Sequence, residues 1–351
     1  MSNSHVSSIL GIDISSSSVK ILELSKNEGQ YTVENYAKGR LKESVFDGIS
    51  IKNIDALAQS IKSLHAKANI KTKQVACAVP EVLTITKVIQ LDYQLTNKEI
   101  EEYIFSEADK YIPYPVDEIN IDFNILGKST KNSDKLDVLI VATRKENINS
   151  LVDLMASAGL VLEVVDLEPY AIERAAQLLM PDVSSGGNNK NIAIINIGNN
   201  YINLFILNKL KNIYSRQEEI GLKNLIDTIV HKYNIKPEEA IFALEQDRLP
   251  EDYTVEILRP FKELVLLHIK RALQLFYSAF NHNLVDKIIL AGFVAKIRGI
   301  DSDLQESINI PTVIANPFAH MSINNKINRI MFEHDAPKLM VACGLALRTC
   351  K

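Results

Sequence analysis

One short stretch near the start of the chain combines residue types that could hold a phosphate group and its metal ion. Two apolar, β-prone runs, residues 9–14 and 19–24, flank a turn of four serines at residues 15–18. The pattern predicts a hairpin with a polar tip, with Asp13 in its first strand and Lys20 in its second. The turn can surround a phosphate with N–H groups and hydroxyls, Lys20 can add a positive charge, and Asp13 can hold Mg²⁺ through water. An ordinary serine-rich hairpin is the alternative, and this stretch alone leaves it open.

A second stretch, about half a chain later, repeats this layout. Apolar residues 192–197 and 201–207 flank a polar turn of Gly198, Asn199 and Asn200. An apolar run, a polar turn and another apolar run therefore occur twice in the chain. The repeat predicts a duplicated α/β domain in which two phosphate loops face one cleft.

Two carboxylates, Asp166 and Glu168, stand where a predicted strand at residues 162–167 meets a predicted helix at residues 169–179. Carboxylates at the C-terminal end of a strand are well placed to handle an ion or a water molecule in an α/β sheet. Capping the helix and interacting with its dipole is the other explanation for the same pair. The sequence does not decide between these two roles.

Residues 82–160 are predicted to form a separate inserted unit with the element order β-α-β-β-α. Its first helix begins at a capping box formed by Thr96 and Glu99. This helix is expected to continue to Ile112, just before Pro113. The other predicted elements of the unit are strands at 85–91, 119–126 and 136–143 and a helix at 146–158.

Hydrophobic periodicity predicts the elements that support these features. A strand at 30–37, a helix at 54–68 and a strand at 74–79 complete a β-β-β-α-β order in the first 80 residues. A polar linker is expected at 181–190. The further elements predicted after it are helices at 222–233, 237–244, 260–280, 300–308 and 336–348 and strands at 287–290 and 312–314.

Composition argues against several classes of protein. The 351 residues carry a formal net charge of −4, and no basic run with interleaved aromatic residues occurs, so we expect no nucleic-acid binding. No apolar run is long enough for a transmembrane helix and no signal pattern opens the chain, so we expect a cytoplasmic protein. Three scattered cysteines and seven scattered histidines show no metal-binding spacing and fit a reducing compartment.

Four segments, in their order and spacing, resemble the PilM family of the actin-like ATPase superfamily. These segments are residues 11–20, 107–115, 165–171 and 336–348, and the resemblance covers nearly the whole chain. It implies an α/β fold of actin-like (ribonuclease-H-like) duplicated domains around a nucleotide cleft. The inserted β-α-β-β-α subdomain is expected to be of the type found in the cell-division protein FtsA.

The resemblance implies the residues that bind ATP and Mg²⁺. Asp13 is expected near the metal, which it holds through water, and Glu168 is expected to orient the attacking water, so these two are the expected catalytic residues. Lys20 is expected on the phosphates. The other expected nucleotide contacts are Ser15, Ser16, Ser17 and Ser18 in the first phosphate loop, Asn196, Gly198, Asn199 and Asn200 in the second, Gly221, Lys223 and Asn224 at the ribose and base, and Gly292 and Phe293 at the adenosine. The helix that opens at residues 221–224 is expected to offer free N–H groups.

Three positions depart from the family pattern. Ser15 stands where the first phosphate loop usually has glycine, and Phe293 replaces the second glycine of the adenosine turn. Asn196 stands where the second loop usually has aspartate, and an amide lacks the charge that helps to hold hydrated Mg²⁺. Because phosphoryl transfer depends on the placement of metal and water, we expect nucleotide binding with at most slow hydrolysis.

The resemblance also divides the chain into four expected subdomains. Subdomain 1A is expected at 1–81, 161–188 and 335–351, subdomain 1C at 82–160, subdomain 2A at 189–216 and 285–334, and subdomain 2B at 217–284.

The implied function is that of a cytoplasmic ATP-binding component of the type IV pilus assembly platform. Its expected partner is the cytoplasmic N-terminal tail of the membrane protein PilN, docked between the insertion and the first subdomain. Tyr103, Tyr111, Tyr114 and residues 113–115 are candidates to line that groove, with simple core packing as the alternative for the aromatic side chains. Contact with the inner membrane is expected only through partners of the assembly complex, and weak self-association is left open.

Two other functions remain as alternatives. A filament-forming ATPase related to FtsA or MreB shares the fold, although the chain stops directly after its closing helix, where an FtsA-like amphipathic anchor would follow. A small-molecule kinase of the same superfamily would need a substrate base, and Asp166 and Glu168 are the candidates. Fold alone does not separate these functions.

Overall fold

The computed structural model describes residues 8–42, 45–129, 132–179, 190–280 and 284–348. The strands are β1 Leu10–Ile14, β2 Ser18–Asn27, β3 Gln30–Arg40, β4 Phe46–Asp47, β5 Ser50–Ile51, β6 Gln74–Val79, β7 Thr84–Asp92, β8 Ile119–Lys128, β9 Lys135–Arg144, β10 Val161–Leu167, β11 Asn191–Ile197, β12 Ile202–Asn208, β13 Lys211–Glu218, β14 Lys287–Gly292, β15 Thr312–Ile314 and β16 Ser322–Ile323. The helices are α1 Ile54–Lys67, α2 Asn97–Ser106, α3 Lys145–Ser157, α4 Glu168–Leu179, α5 Leu222–Tyr233, α6 Pro237–Glu245, α7 Arg259–Ala279, α8 Ile300–Ile308, α9 Arg329–Asp335 and α10 Met340–Ala346. The predicted linker, apart from residue 190, lies outside the described residues.

Two sheets form the frame of the molecule, and they share one topology apart from the extra edge strand β16 of the first. In the first, the order is β10-β6-β1-β2-β3-β16, and in the second it is β13-β12-β11-β14-β15. In each sheet the first three strands along the chain form an antiparallel meander, and the next two pair in parallel beside the first strand. The predicted duplication of an α/β domain is therefore confirmed.

The interface between the two sheets holds a continuous apolar core. Helices α4 and α10 lie there, and their buried residues pack with residues of β2 and β11 such as Leu22 and Ile194. A Cβ atom on Gly344 of α10 would lie 1.7 Å from the carbonyl oxygen of Ala171 in α4, so only glycine allows these helices to approach so closely. On their outer faces, the first sheet is covered by α1 and α3 and the second by α5, α7 and α8. The core thus joins both halves and leaves their hairpin tips free to form a site.

The inserted unit is a three-stranded antiparallel sheet in the order β7-β9-β8 with its own apolar cluster under α2. The predicted order β-α-β-β-α is observed, but Leu154 and Met155 of α3 pack into the core of the first sheet. Helix α2 ends at Ser106, whereas the sequence pattern predicted a helix through Ile112. A separate 3₁₀ turn at Ala108–Lys110 takes the place of the last helical turn. The FtsA type of this insertion and the four subdomain boundaries stay predictions.

Other elements also differ from the sequence-based expectations. Strand β13 was not predicted, yet it completes the second meander. The predicted closing helix at 336–348 is a 3₁₀ turn, Ala336–Leu339, followed by the shorter α10, and the unpredicted α9 precedes both. Among the helices in the described part of the chain, none combines the length and apolar character needed to cross a membrane.

Candidate functional site

The tips of the two hairpins meet across a cleft between the halves of the molecule. The side-chain amide of Asn200 donates a hydrogen bond of 3.2 Å to the hydroxyl oxygen of Ser16. The cleft has a volume of about 350 Å³ and is lined by residues of both halves. Of the residues predicted to bind a nucleotide, Gly221 and Asn224 do not line it, whereas the others do: Asp13, Ser15, Ser16, Ser17, Ser18, Lys20, Glu168, Asn196, Gly198, Asn199, Asn200, Lys223, Gly292 and Phe293.

In the first hairpin, a charged pair lies beside the serine turn. Asp13 and Lys20 are directly opposite each other on β1 and β2, and their charged groups are 2.7 Å apart. Ser15 closes the turn, because its N–H donates to the carbonyl of Ser18 and its hydroxyl accepts from the N–H of Ser18. The N–H groups of Ser16 and Ser17 have no partner among the described residues. They are therefore available to an anion.

In the second hairpin, the turn is held by the start of α5. The N–H of Leu222 donates to the carbonyl of Gly198 (3.0 Å), and the N–H of Lys223 donates to that of Asn199 (2.8 Å). The N–H of Gly221 donates to the side chain of Asn224. The expectation of free N–H groups at residues 221–224 is therefore wrong, because the helix uses these donors to fix the turn. A Cβ on Gly221 would lie 2.4 Å from the Asn199 oxygen, so this contact requires glycine.

The turn after β14 forms another wall of the cleft. Gly292 pairs with Ile197 of β11 and has a φ of +87°, a left-handed conformation that favours glycine. A Cβ there would also lie 2.8 Å from the side-chain oxygen of Asn196. Phe293 follows, and the ammonium group of Lys338 stands 4.4 Å from the centre of its ring. The bulky Phe293 is thus part of a cation–π contact inside the cleft.

A charged cluster that the sequence patterns did not single out lies next to this ring. Asp335 is buried and accepts hydrogen bonds from Lys338 (2.8 Å), Lys38 (2.7 Å) and the hydroxyl of Tyr36 (2.7 Å). Burial would raise the pKa of Asp335, but Lys338 and the other donors hold it well below its usual range. Burial also lowers the pKa of Lys338. Lys38 lies opposite Lys20 on the neighbouring strand.

Glu168 is the first residue of α4, and its half-buried side chain reaches the cleft floor. Its pKa is raised to about 7, mainly by burial and next by the charge of Asp13, while Lys20 acts in the opposite direction. The amide of Asn203 lies 3.4 Å from one carboxylate oxygen. A carboxylate with a pKa near neutrality can take or give a proton at ordinary pH.

Asp166, two residues earlier, points to a different environment. Its buried carboxylate forms an ion pair with Arg174 and lies 3.5 Å from Arg348, and it accepts a hydrogen bond from the N–H of Leu167. Asp166 is not among the residues that line the cleft. Of the two junction carboxylates, Glu168 is thus placed for chemistry, and Asp166 fixes the strand–helix junction.

The residues of the cleft fit a phosphorylated ligand. The volume of the cleft lies within the range of small-molecule sites. Free N–H groups at Ser16 and Ser17 and the cations Lys20, Lys38 and Lys338 offer donors and positive charge to phosphate oxygens. No group of three or more His, Cys, Asp or Glu side chains in the described ranges is arranged to hold a metal ion directly. A Mg²⁺ ion here would take its ligands mainly from phosphate and water.

Comparisons with solved structures give the fold. The protein matches a chain of a PilM-PilN type IV pilus biogenesis complex, with 24% identity and a TM-score of 0.80. The match covers 97% of this chain and 98% of that chain. The ethanolamine utilization protein EutJ from Carboxydothermus hydrogenoformans matches over 97% of this chain and 89% of its own, with 16% identity and a TM-score of 0.59. Ta0583, an archaeal actin homolog, matches over 97% of this chain and 98% of its own, with 11% identity and a TM-score of 0.49.

The fold is therefore the actin-like one, with two α/β halves around a cleft. The family model described as type IV pilus assembly protein PilM matches residues 11–350. This match spans both sheets, both hairpins and the insertion. The chain belongs to the PilM family of type IV pilus assembly proteins.

Proposed function

We propose that this PilM family member binds ATP with Mg²⁺ between its two halves and serves as a cytoplasmic platform for a pilus assembly partner. The observation that carries the proposal is the hydrogen bond between Asn200 and Ser16, which joins the tips of the two hairpins at one cleft. The free N–H groups of the serine turn and the nearby cations support it.

In this proposal the first hairpin binds the phosphates. The backbone N–H groups of Ser16 and Ser17 donate hydrogen bonds to the phosphate. The ammonium group of Lys20 adds positive charge when phosphate oxygens compete with Asp13 for this group. Asp13 would hold Mg²⁺ through water, and the ion would neutralise phosphate charge. The second hairpin would contribute Asn196, Gly198, Asn199 and Asn200, and Lys223, Gly292 and Phe293 would contact the adenosine. Gly221 and Asn224 act indirectly, because they hold the start of α5 against the turn.

Hydrolysis in this site is expected to be slow. Glu168 stands on the cleft floor with its pKa raised to about 7, first by burial, and can orient a water molecule. Asn196 is neutral and gives hydrated Mg²⁺ no charge from the second hairpin. The nucleotide therefore acts more as a structural or switching ligand than as a rapidly consumed substrate.

The proposed partner is the cytoplasmic N-terminal tail of PilN. The match to a chain of a PilM-PilN complex supports this partner. In the insertion, the Tyr103 and Tyr111 hydroxyls are 3.3 Å apart, and the guanidinium of Arg144 stands 4.5 Å from the ring centre of Tyr114. Tyr111 and Tyr114 also pack on the core of the insertion, while Tyr103 is exposed. These side chains therefore present a partly apolar, hydrogen-bonding face, and membrane contact follows through the partner.

Calorimetry tests the nucleotide part of the proposal. Titration of ATP and of ADP with Mg²⁺ is expected to show one site per chain. Repeating both titrations with a PilN-tail peptide measures coupling, which must be reciprocal between the two ligands. A folded protein that binds neither nucleotide would overturn this part.

A pull-down with the PilN-tail peptide tests the partner. The wild-type chain is expected to bind, and Tyr103→Ala is expected to weaken binding. Tyr93→Ala is the matched control, because Tyr93 is an exposed tyrosine of the same insertion outside the proposed groove. Equal binding by both variants would place the peptide elsewhere, and no binding by the folded wild type would remove PilN as the partner.

A further inference from the structure

Two oppositely charged side chains meet across the mouth of the cleft. Arg40 ends β3 in the first half, and Glu245 ends α6 in the second. A guanidinium nitrogen of Arg40 lies 2.6 Å from a carboxylate oxygen of Glu245, and both residues line the cleft. The side chains are 46% and 32% exposed, so solvent reaches this pair. It therefore joins the two halves at a solvent-exposed edge of the cleft, outside the core.

The two sides of the pair are anchored unequally. Strand β3 lies between β2 and β16 in the six-stranded sheet. In helix α6, Ala240 is fully buried, Ile241 and Leu244 pack partly buried against the core of the second half, and Phe242 is exposed. An element with little buried apolar surface opens at a lower free-energy cost than one inside a sheet. Helix α6 is thus the side that can move.

The two halves are also joined far from the hairpin tips, where the start of β13 contacts α4. The ammonium group of Lys211 lies 2.7 Å from a Glu173 carboxylate oxygen, and the N–H of Asn212 donates to the other oxygen at 2.9 Å. Glu173, which carries both carboxylate oxygens, is a residue of α4, and this helix lies in the core between the sheets. Opening of the cleft is therefore easiest at its mouth.

We propose that the Arg40–Glu245 ion pair is a gate that sets how fast a nucleotide enters and leaves the cleft. The inference rests on the proposed nucleotide binding and adds the step that limits exchange. In the closed form, α6 is tied to β3 over the bound ligand. Breaking the pair frees α6, and the ligand passes.

The size of the effect follows from the exposure of the pair. An exposed ion pair contributes a small free energy, which corresponds to a two- to fivefold change in rate. Dissolved salt weakens the attraction between solvent-exposed charges such as these two. Release from the wild type is therefore expected to speed up with ionic strength more steeply than release from a variant that lacks the pair.

Stopped-flow fluorescence with a labelled ATP analogue and Mg²⁺ measures both rates. Glu245→Gln and Arg40→Gln are each expected to raise the entry and release rates about two- to fivefold, with less than a twofold change in Kd. The double variant Arg40→Glu with Glu245→Arg is expected to restore slow exchange. Glu333→Gln is the matched control, because it breaks an ion pair with Arg329 on α9 that does not line the cleft.

Two results would overturn the gate. Unchanged entry and release rates in Glu245→Gln and Arg40→Gln would show that the pair does not limit nucleotide exchange. A higher Kd with an unchanged entry rate would show that these side chains contact the ligand directly instead of gating it.

Hydrogen exchange without nucleotide separates this inference from the proposed function. Amides of α6 are expected to exchange faster in Arg40→Gln than in the wild type, while those of α9 stay unchanged. If the wild type fails to bind the analogue but α6 responds in this way, the proposed function fails and the contact still controls α6. Equal exchange of α6 in both proteins would overturn the gate by itself.

Discussion

The two hairpins that face the cleft share their topology and differ in their chemistry. The first carries an ion pair, Asp13 and Lys20, beside a turn of hydroxyls with unpaired N–H groups. The second carries the neutral Asn196, and the start of α5 holds the carbonyl groups of its turn. One tip therefore supplies charge and donors, whereas the other supplies a fixed shape.

The difference shows how a duplicated domain can divide the work of one site. In the proposed site, the charge for phosphate and metal comes from Lys20 and Asp13. On the other side, Gly221 and Gly292 allow backbone to approach backbone, where a Cβ would lie 2.4 Å and 2.2 Å from a carbonyl oxygen. Changes at the first hairpin are expected to affect ligand affinity, and changes at the second are expected to affect stability and turnover.

Removing the cation of the first hairpin should have the largest effect. Lys20→Met is expected to weaken ATP binding about 10- to 100-fold, because a charged hydrogen bond contributes about 1.5–3 kcal/mol and the unpaired Asp13 would repel phosphate. Calorimetric titration measures the loss. Lys26→Met, at an exposed position of the same strand, is the control and should bind normally. Normal affinity in Lys20→Met would mean that Lys38 or Lys338 provides the charge.

Disturbing the support of the second hairpin should destabilise the protein. Gly221→Ala is expected to lower the free energy of unfolding by about 1–3 kcal/mol, because the added Cβ overlaps the Asn199 carbonyl. Urea unfolding measures this change. Gly198→Ala in the same turn is the control, since its Cβ would meet the Tyr201 oxygen at an ordinary 3.4 Å. Equal stability of the two variants would contradict the role given to Gly221.

The pKa of Glu168 predicts a pH dependence of stability. Burial raises this pKa from 4.5 to about 7, so the folded protein binds the proton more tightly than the unfolded chain does. The resulting stabilisation is complete below about pH 4.5 and is lost as the pH rises through 7. Relative to Glu168→Gln, the wild type should lose on the order of 2 kcal/mol of unfolding free energy over this range. If the free energy of unfolding changed with pH in the same way in both proteins, the raised pKa of Glu168 would be refuted. The control Glu163→Gln, at an exposed position, should show the same pH dependence as the wild type.

Adding charge to the second hairpin should make the two hairpins more alike. Asn196→Asp is expected to raise Mg²⁺-dependent ATP turnover several-fold, because a second carboxylate can help to hold the hydrated ion. A steady-state phosphate-release assay measures the change. Asn120→Asp, at an exposed position of the insertion, adds the same charge and should have no effect. An unchanged rate in Asn196→Asp would mean that the neutral amide does not limit hydrolysis.

Local patterns predicted much of the fold, because they depend on neighbours in the chain. The capping box of Thr96 and Glu99, strand β6 and helix α5 follow the predicted bounds or chemistry. Strand β13 was missed because its polar residues have no clear alternation, and pairing with β12 stabilises it. Helix α2 ends early for a similar reason: Tyr111 and Ile112 pack onto the insertion from a separate turn.

The sequence by itself determined the chemistry of the hairpins, since residue types and a two-residue period place Asp13, the serines and Lys20 around one turn. Tertiary structure alone decided which charges reach the cleft. It sends Glu168 into the site and Asp166 to Arg174, although the two are separated by one residue. It also brings Lys338 from the end of the chain onto Phe293. Such contacts depend on how distant elements pack, and spacing along the chain carries no information about them.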